Sequence, residues 1–238
     1  YKEKLILSIA KQTNHLFKNI ENEKNYEHKI IGCTSLILVG LVFKEYKKYF
    51  DKGLEILEKT IKINFDSNGF PKSRNPQELC ECLKYFVIVR EWIKESQKEI
   101  PEFINKIVYE SGNSFSFISK KNIKLPLFNG ATELNNEEFK VYLKNTGYNF
   151  KENSKEKSGY TILENKKILL VMDVGSPPEK KFSEKYQCGC LSFEIISGNK
   201  KLICNSGFYF KNKSKLNIIS KSTAAHSTLY INNQSSCS

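Results

Sequence analysis

The feature that most constrains this chain's fold is a change of hydrophobic period near residue 112. Upstream, apolar residues recur every three or four positions. Leu5, Ile6, Ile9, Leu16, Phe17 and Ile20 share one stripe, which predicts a helix over Tyr1 to Ile20. His28 to Phe50 holds the run "IIGCTSLILVGLVF", expected as a helix buried on most sides, and 51–65 is amphipathic again. "DSNGFPKSRNP" is rich in turn formers and reads as a loop. Asn75, Pro76 and Glu78 then give a helix start that leads into "CECLKYFVIVREWIKES", and Pro101 opens a shorter helix. Downstream the texture becomes period two. "SFSFIS" alternates, "YTILENKKILLVMDVG" reads as two strands around a tight turn, and "CLSFEIISGNKKLICNSGFYF" as a hairpin turning at Ser197, Gly198 and Asn199. "STLYIN" is a last expected strand, and Lys151 to Ser158 an exposed charged loop. The fold class is therefore α+β: helical hairpins over 1–112, then an antiparallel β-sheet region over 113–238.

With 238 residues, 39% of them apolar and 12% aromatic, the chain can bury a core and does not have a disordered composition. Its net charge of +12 points to anionic partners. Of its 38 basic residues only Arg74 and Arg90 are arginine, whereas base and phosphate readers lean on arginine's bidentate fork. No helix-turn-helix, RNP-like or zinc-finger pattern accompanies the charge, so no nucleic-acid partner is expected. The longest apolar run, Ile30 to Phe43, is short for a bilayer, so no membrane span is expected. Seven cysteines include two C-x-C pairs, Cys80 with Cys82 and Cys188 with Cys190, which lack the spacing of common zinc or redox motifs and read as small apolar fillers. The sequence opens on Tyr1 and stops shortly after a strand-like run, and so reads as a piece of a longer protein.

Few residues offer chemistry. Asn14 and His15 are adjacent on the first predicted helix, away from its apolar stripe; they are either ordinary surface residues or an amide and an imidazole able to hold a carboxylate and move a proton. Arg74 and Asn75 stand at a helix N-terminus, as a natural anion site or simply a loop and cap. His226, in "STAAHSTL", is a structural histidine or a ligand. His28, at a helix start, reads as structural.

The run from "ILLVMDVGSPPEKKF" to "GFYF", followed by "STAAHSTLYINNQSSC", resembles the C-terminal β-region of the heparinase II/III-like polysaccharide lyases, closest to an uncharacterised bacterial branch. "NH", "DSNGFPKSRNP" and "LPLFNGATE" agree in order upstream. The resemblance implies an incomplete (α/α) toroid, of which 1–112 would be the C-terminal part, joined to an antiparallel, sandwich-like β-sheet domain. It also implies β-elimination on a uronic-acid-containing acidic polysaccharide by a periplasmic or secreted protein. Asn14 and His15 match the family's Asn-His pair and are the expected groups for carboxylate neutralisation and proton transfer. Arg74, Asn75, Gln187, Asn205 and His226 become expected substrate contacts. Some members hold a structural zinc on two histidines and an aspartate; here Gln187 and Asn205 stand beside His226, both poor zinc ligands, so no cofactor is expected. Where many members carry a catalytic tyrosine this chain has Gln77 and Glu78, and the β-domain histidine is replaced by the Lys185, Tyr186, Gln187 run. The base must then be His15 or a tyrosine, with Tyr186, Tyr209 and Tyr148 as candidates. The alternative is a glycan-binding or surface-polysaccharide-associated protein that keeps the scaffold without the chemistry.

Overall fold

The computed structural model describes residues 2–120, 124–198, 200–209 and 214–236. The chain divides into two compact units, Tyr1–Asn64 with Glu81–Val108, and Phe65–Cys80 with Tyr109–Ser238.

The first unit is helical. α1 (Lys2–Asn19) buries Thr13, and Ile20 is buried in the 3₁₀ turn that follows it. α2 (Tyr26–Val42) starts at Asn25, whose Oδ1 accepts from the Glu27 and His28 amides. Two of the orphan donors of the helix start are met in this way. α2 carries the apolar run and buries Ile30, Cys33, Leu36 and Ile37. The single helix expected from His28 to Phe50 is instead two: the chain is extended at Phe43, makes a 3₁₀ turn over Lys44–Tyr46, and restarts as α3 (Lys47–Asn64). Close packing accounts for the break. A Cβ on Gly40 would lie 2.4 Å from the Phe50 amide nitrogen, and one on Gly53 2.9 Å from Ile37, so glycines let α2 and α3 lie against each other as an antiparallel hairpin. Leu83, Phe86, Val87 and Ile93 of α4 (Pro76–Glu95) and Ile104 and Val108 of α5 (Glu102–Ile118) are also buried in this unit.

The second unit is built on a five-stranded antiparallel sheet, β1 (Glu156–Lys157), β2 (Tyr160–Glu164), β3 (Ile168–Asp173), β4 (Phe193–Ser197) and β5 (Lys200–Ile203), in sequential order. The register pairs Tyr160 with Asp173, Ile162 with Val171, Val171 with Glu194, and Leu169 with Ile196. All seven of these residues are buried, so one face of the sheet is core, as period-two alternation requires. Two carboxylates, Asp173 and Glu194, lie on that buried face. The two expected hairpins are present; Asn199, placed at the second turn, lies outside the described residues.

Two strand expectations fail. "SFSFIS", residues 114–119, is helical through Ile118, within α5: Ser114 is buried and donates to the Asn68 carbonyl, so a small polar residue occupies a buried helical position and counterfeits an alternating pattern. "STLYIN" forms bends and turns with a single bridge between Ile231 and Gln234. Two short helices, α6 (Glu137–Asn145) and α7 (Lys215–Lys221), were not anticipated.

Candidate functional site

In the second unit the loop over 65–75 is held by its own side chains. Asp66 Oδ1 accepts from the Asn68 and Phe70 amides, each at 2.9 Å. Asn75, also buried, caps α4 by accepting from the Gln77 amide at 2.8 Å and from that of Glu78 at 3.3 Å. Its side chain is thereby committed to the helix start.

Between these residues Arg74 adopts a left-handed backbone, φ 58°, and turns into the interior. Its Nη2 donates to both oxygens of Asp173, at 2.6 and 2.7 Å. Nε and Nη1 are buried without a partner. A Cβ on Gly175 would fall 1.6 Å from Nη1, so the guanidinium occupies space that only glycine leaves open. Asn129 Nδ2 donates to Asp173 Oδ2 at 3.0 Å and to Tyr160 Oη at 2.7 Å, while the Tyr160 hydroxyl donates to the Arg74 carbonyl. Burial pushes the Asp173 carboxyl above its ordinary range, against the pull of Arg74 and Asn129. Burial also pushes the Tyr160 phenol well up. Arg74 lines a cavity of about 320 Å³ together with Lys72, Ser158 and Ser176.

Adjoining this cluster, Gln77 Oε1 accepts from the Thr132 amide and hydroxyl, at 2.9 and 2.8 Å. Glu78, buried, accepts from the Ser73 hydroxyl and pairs with Lys185 Nζ at 2.8 Å. Gln187, buried, accepts from the Gly130 amide at 3.1 Å and donates to the carbonyls of Gly207 and Ser220, at 2.9 and 2.8 Å. His226 Nε2 meets the Ser220 carbonyl at 3.1 Å; a carbonyl only accepts, so Nε2 carries the proton. Burial lowers the His226 pKa. Asn205 Oδ1 accepts from the Ser227 amide and hydroxyl, at 3.1 and 3.2 Å.

Arg74, Asn75, Gln187, Asn205 and His226 thus belong to one contiguous polar framework of the second unit. Tyr186 is half-buried beside Lys185 and Gln187. Tyr209 is exposed, its carbonyl accepting from Asn217 Nδ2 at 2.6 Å, and Tyr148 packs on Phe150 elsewhere in the unit. Asn14 and His15, on α1 of the first unit, have exposed side chains. His28 lies at the start of α2.

Sequence reasoning missed Asp173, Asn129, Tyr160 and Glu194. Asp173 carried a signal, a lone charge closing the apolar run "ILLVM". Glu194 has the same character: fully buried, it accepts from the Leu127 and Asn205 amides and pairs with Lys201 at 2.8 Å.

The residues at the family's zinc position do not fit the metal. The amide oxygens of Gln187 and Asn205 already accept from backbone N–H groups and are weak zinc donors, so His226 lacks the set of ligands that zinc requires among the described residues. Among the described residues no group of three or more His, Cys, Asp or Glu side chains is placed to hold a metal ion, and the six described cysteines are free thiols.

Residues 150–238 match the family model for the heparinase II/III-like C-terminal region. Among curated proteins no relative matches the chain. Solved structures similar to the chain include a heparinase III, at TM-score 0.78 and 16% identity over 98% of this chain and 43% of that one. A second heparinase III gives TM-score 0.81 and 16% identity over 98% and 41%. The heparan sulfate lyase HepC from Pedobacter heparinus gives TM-score 0.76 and 17% identity over 98% and 41%. The chain therefore spans about two fifths of the length of these structures. The resemblance read from the sequence holds: residues 150–238 match the model of the heparinase II/III-like C-terminal region, on a chain that has the α+β fold of the heparinase III structures.

Proposed function

We propose that this chain is part of a polysaccharide lyase that cleaves a uronic-acid-containing acidic polysaccharide by β-elimination. The family match over 150–238 carries the reading, and the likeness to solved heparinase III and heparan sulfate lyase structures supports it. In elimination a base takes the proton from C5, its electrons form the C4–C5 double bond, and the C4–O bond breaks as the leaving oxygen takes a proton. The step needs the uronate carboxylate neutralised so that C5 becomes acidic. Asn14, an uncharged donor on α1, is assigned to that carboxylate and His15 to proton transfer. Tyr186 and Tyr209 are the candidates for base or acid from the second unit. Arg74 and the Gln187, Asn205 and His226 framework are assigned to shaping the saccharide-binding surface. A net charge of +12 suits a polyanionic substrate. The toroidal arrangement of the helices and a periplasmic or secreted location belong to the same reading. No helix among the described residues is long and apolar enough to cross a membrane. No step is routed through zinc.

One observation favours a second reading, a glycan-binding protein on the same scaffold. Gln77 and Glu78, at the place of a family tyrosine, are tied to Thr132, Ser73 and Lys185 and offer no free proton carrier. The two readings separate in one experiment. Full-length protein is mixed with heparan sulfate, heparin and alginate, and binding and ultraviolet absorbance are followed together. Elimination creates an unsaturated uronide and raises the absorbance. Binding to any of these polymers without that rise rejects the lyase and selects the binder.

A further inference from the structure

A second cavity lies apart from the framework above. It is a groove of about 740 Å³ formed by the end of α5, by α6 and by the segment over 147–152. That size falls within the range of about 300–1,000 Å³ usual for small-ligand sites. Three lysines, Lys120, Lys140 and Lys144, line it against one acid, Glu152.

The acid is already neutralised. Glu152 is paired with Lys157 and accepts from the Ser154 amide, which together lower its pKa to about 2. The lysines are not matched in the same way. Lys120 reaches Glu164 at 3.0 Å and Lys140 reaches Glu137 at 3.3 Å, but neither carboxylate lines the groove. Both lysine side chains are 18% exposed, whereas the two glutamates are 41% and 58% exposed. Such rim pairs are weak and exchangeable for a better-placed anion. Lys144 is exposed and has no ion pair among the described residues.

One wall is aromatic and rigid. Phe150 lies flat on Gly112, where a Cβ would come within 2.3 Å of the ring, and meets Tyr109 edge-on at 6.2 Å. Tyr148 packs on Phe150 at 5.3 Å and 30°. A fixed aromatic surface beside cations, with the hydroxyls of Ser116 and Ser119 and the Asn149 amide between them, suits an apolar sugar face carrying acidic groups. The groove contains no arginine, the residue that favours phosphate and base recognition.

From this geometry we infer that the groove is an accessory site for an anionic saccharide, bearing carboxylate or sulfate groups, that operates without the elimination chemistry. Lys144 and Tyr148 are its main determinants, one for charge and one for the sugar face.

The test uses full-length protein with a heparin-derived tetrasaccharide as probe, read by hydrogen–deuterium exchange and calorimetry. The expected result is protection of residues 143–152 at saturation, with binding at this site weakened about tenfold in Lys144→Glu and in Tyr148→Ala. Both residues are at least partly exposed, so the variants should keep the wild-type melting temperature. The proposal is overturned by absence of protection in 143–152, by unchanged affinity in both variants, or by equal protection from maltotetraose or from a single-stranded oligonucleotide of equal charge. Protection reads binding alone, so a negative elimination assay leaves this result standing.

Discussion

Gln187 and His226 donate to the same acceptor, the Ser220 carbonyl, at 2.8 and 3.1 Å. That shared oxygen ties the segment after β3 to the end of α7 and to the loop that carries the Ala-Ala-His string. Gln187 also joins Gly130 and Gly207, so one amide side chain serves three backbone groups.

Replacing Gln187 by leucine should therefore strand the Gly130 amide in a buried setting, while the Ser220 and Gly207 carbonyls each lose one donor and keep another, His226 and Ser206. At about 1–3 kcal/mol for the unsatisfied amide, with the two carbonyl bonds lost besides, the loss should be a few kcal/mol and visible as a clear fall in melting temperature. Because these donors and acceptors are spent on backbone, a chelator or added zinc should leave the melting temperature of the wild-type protein unchanged. A fall with chelator would show that a metal is held after all.

The Arg74–Asp173 pair gives a second expectation. Asp173→Asn should cost about 3–5 kcal/mol, because it strands a buried guanidinium. Arg74→Met combined with Asp173→Leu should recover much of that loss. Denaturant unfolding of the single and double variants measures the coupling, and strict additivity would contradict the pairing.

Gly175→Ala should be destabilising for a specific reason, since its methyl group would meet Arg74 Nη1. A loss of about 1–3 kcal/mol is expected in wild type and a smaller one in an Arg74→Ala background, where the 2.9 Å approach to the Gly159 Cα remains. Equal losses in both backgrounds would point to the backbone rather than the guanidinium.

The pH dependence of stability should carry a contribution from His226. Burial lowers its folded pKa below the ordinary 6.5. The unfolded chain then binds more protons on acidification, so the contribution is complete above about pH 6.5 and is lost as pH falls toward the folded value. His226→Gln keeps a donor for Ser220 but does not titrate. It should flatten the melting temperature between about pH 7 and pH 5.5; an unchanged slope would mean that His226 is not buried as a neutral donor.

Much of this architecture was legible from periodicity. The helical stripes, the Asn75 cap and the two hairpins follow from local pattern, because each element has one apolar face. The failures have physical causes. The alternation in "SFSFIS" was misleading because Ser114 serves a loop carbonyl from inside a helix. Arg74, readable as an anion site or as part of a loop and cap, turns inward onto Asp173, a partner 99 residues away that no local pattern reveals. The family resemblance supplied Asn14 and His15, whose spacing alone does not separate them from ordinary surface residues. It also supplied Gln187, Asn205 and His226, which the fold brings into one framework.

The most direct measurement of the central claim is the rate of unsaturated uronide formation by the full-length protein and its Asn14→Ala and His15→Ala variants. With the uronate polymer that supports turnover, the account expects each variant to lose at least about a hundredfold in rate, in line with removal of one proton-transfer or charge-stabilising group, at an unchanged melting temperature. Full activity in both variants, or no double-bond formation from any uronate polymer by the wild-type protein, would contradict it.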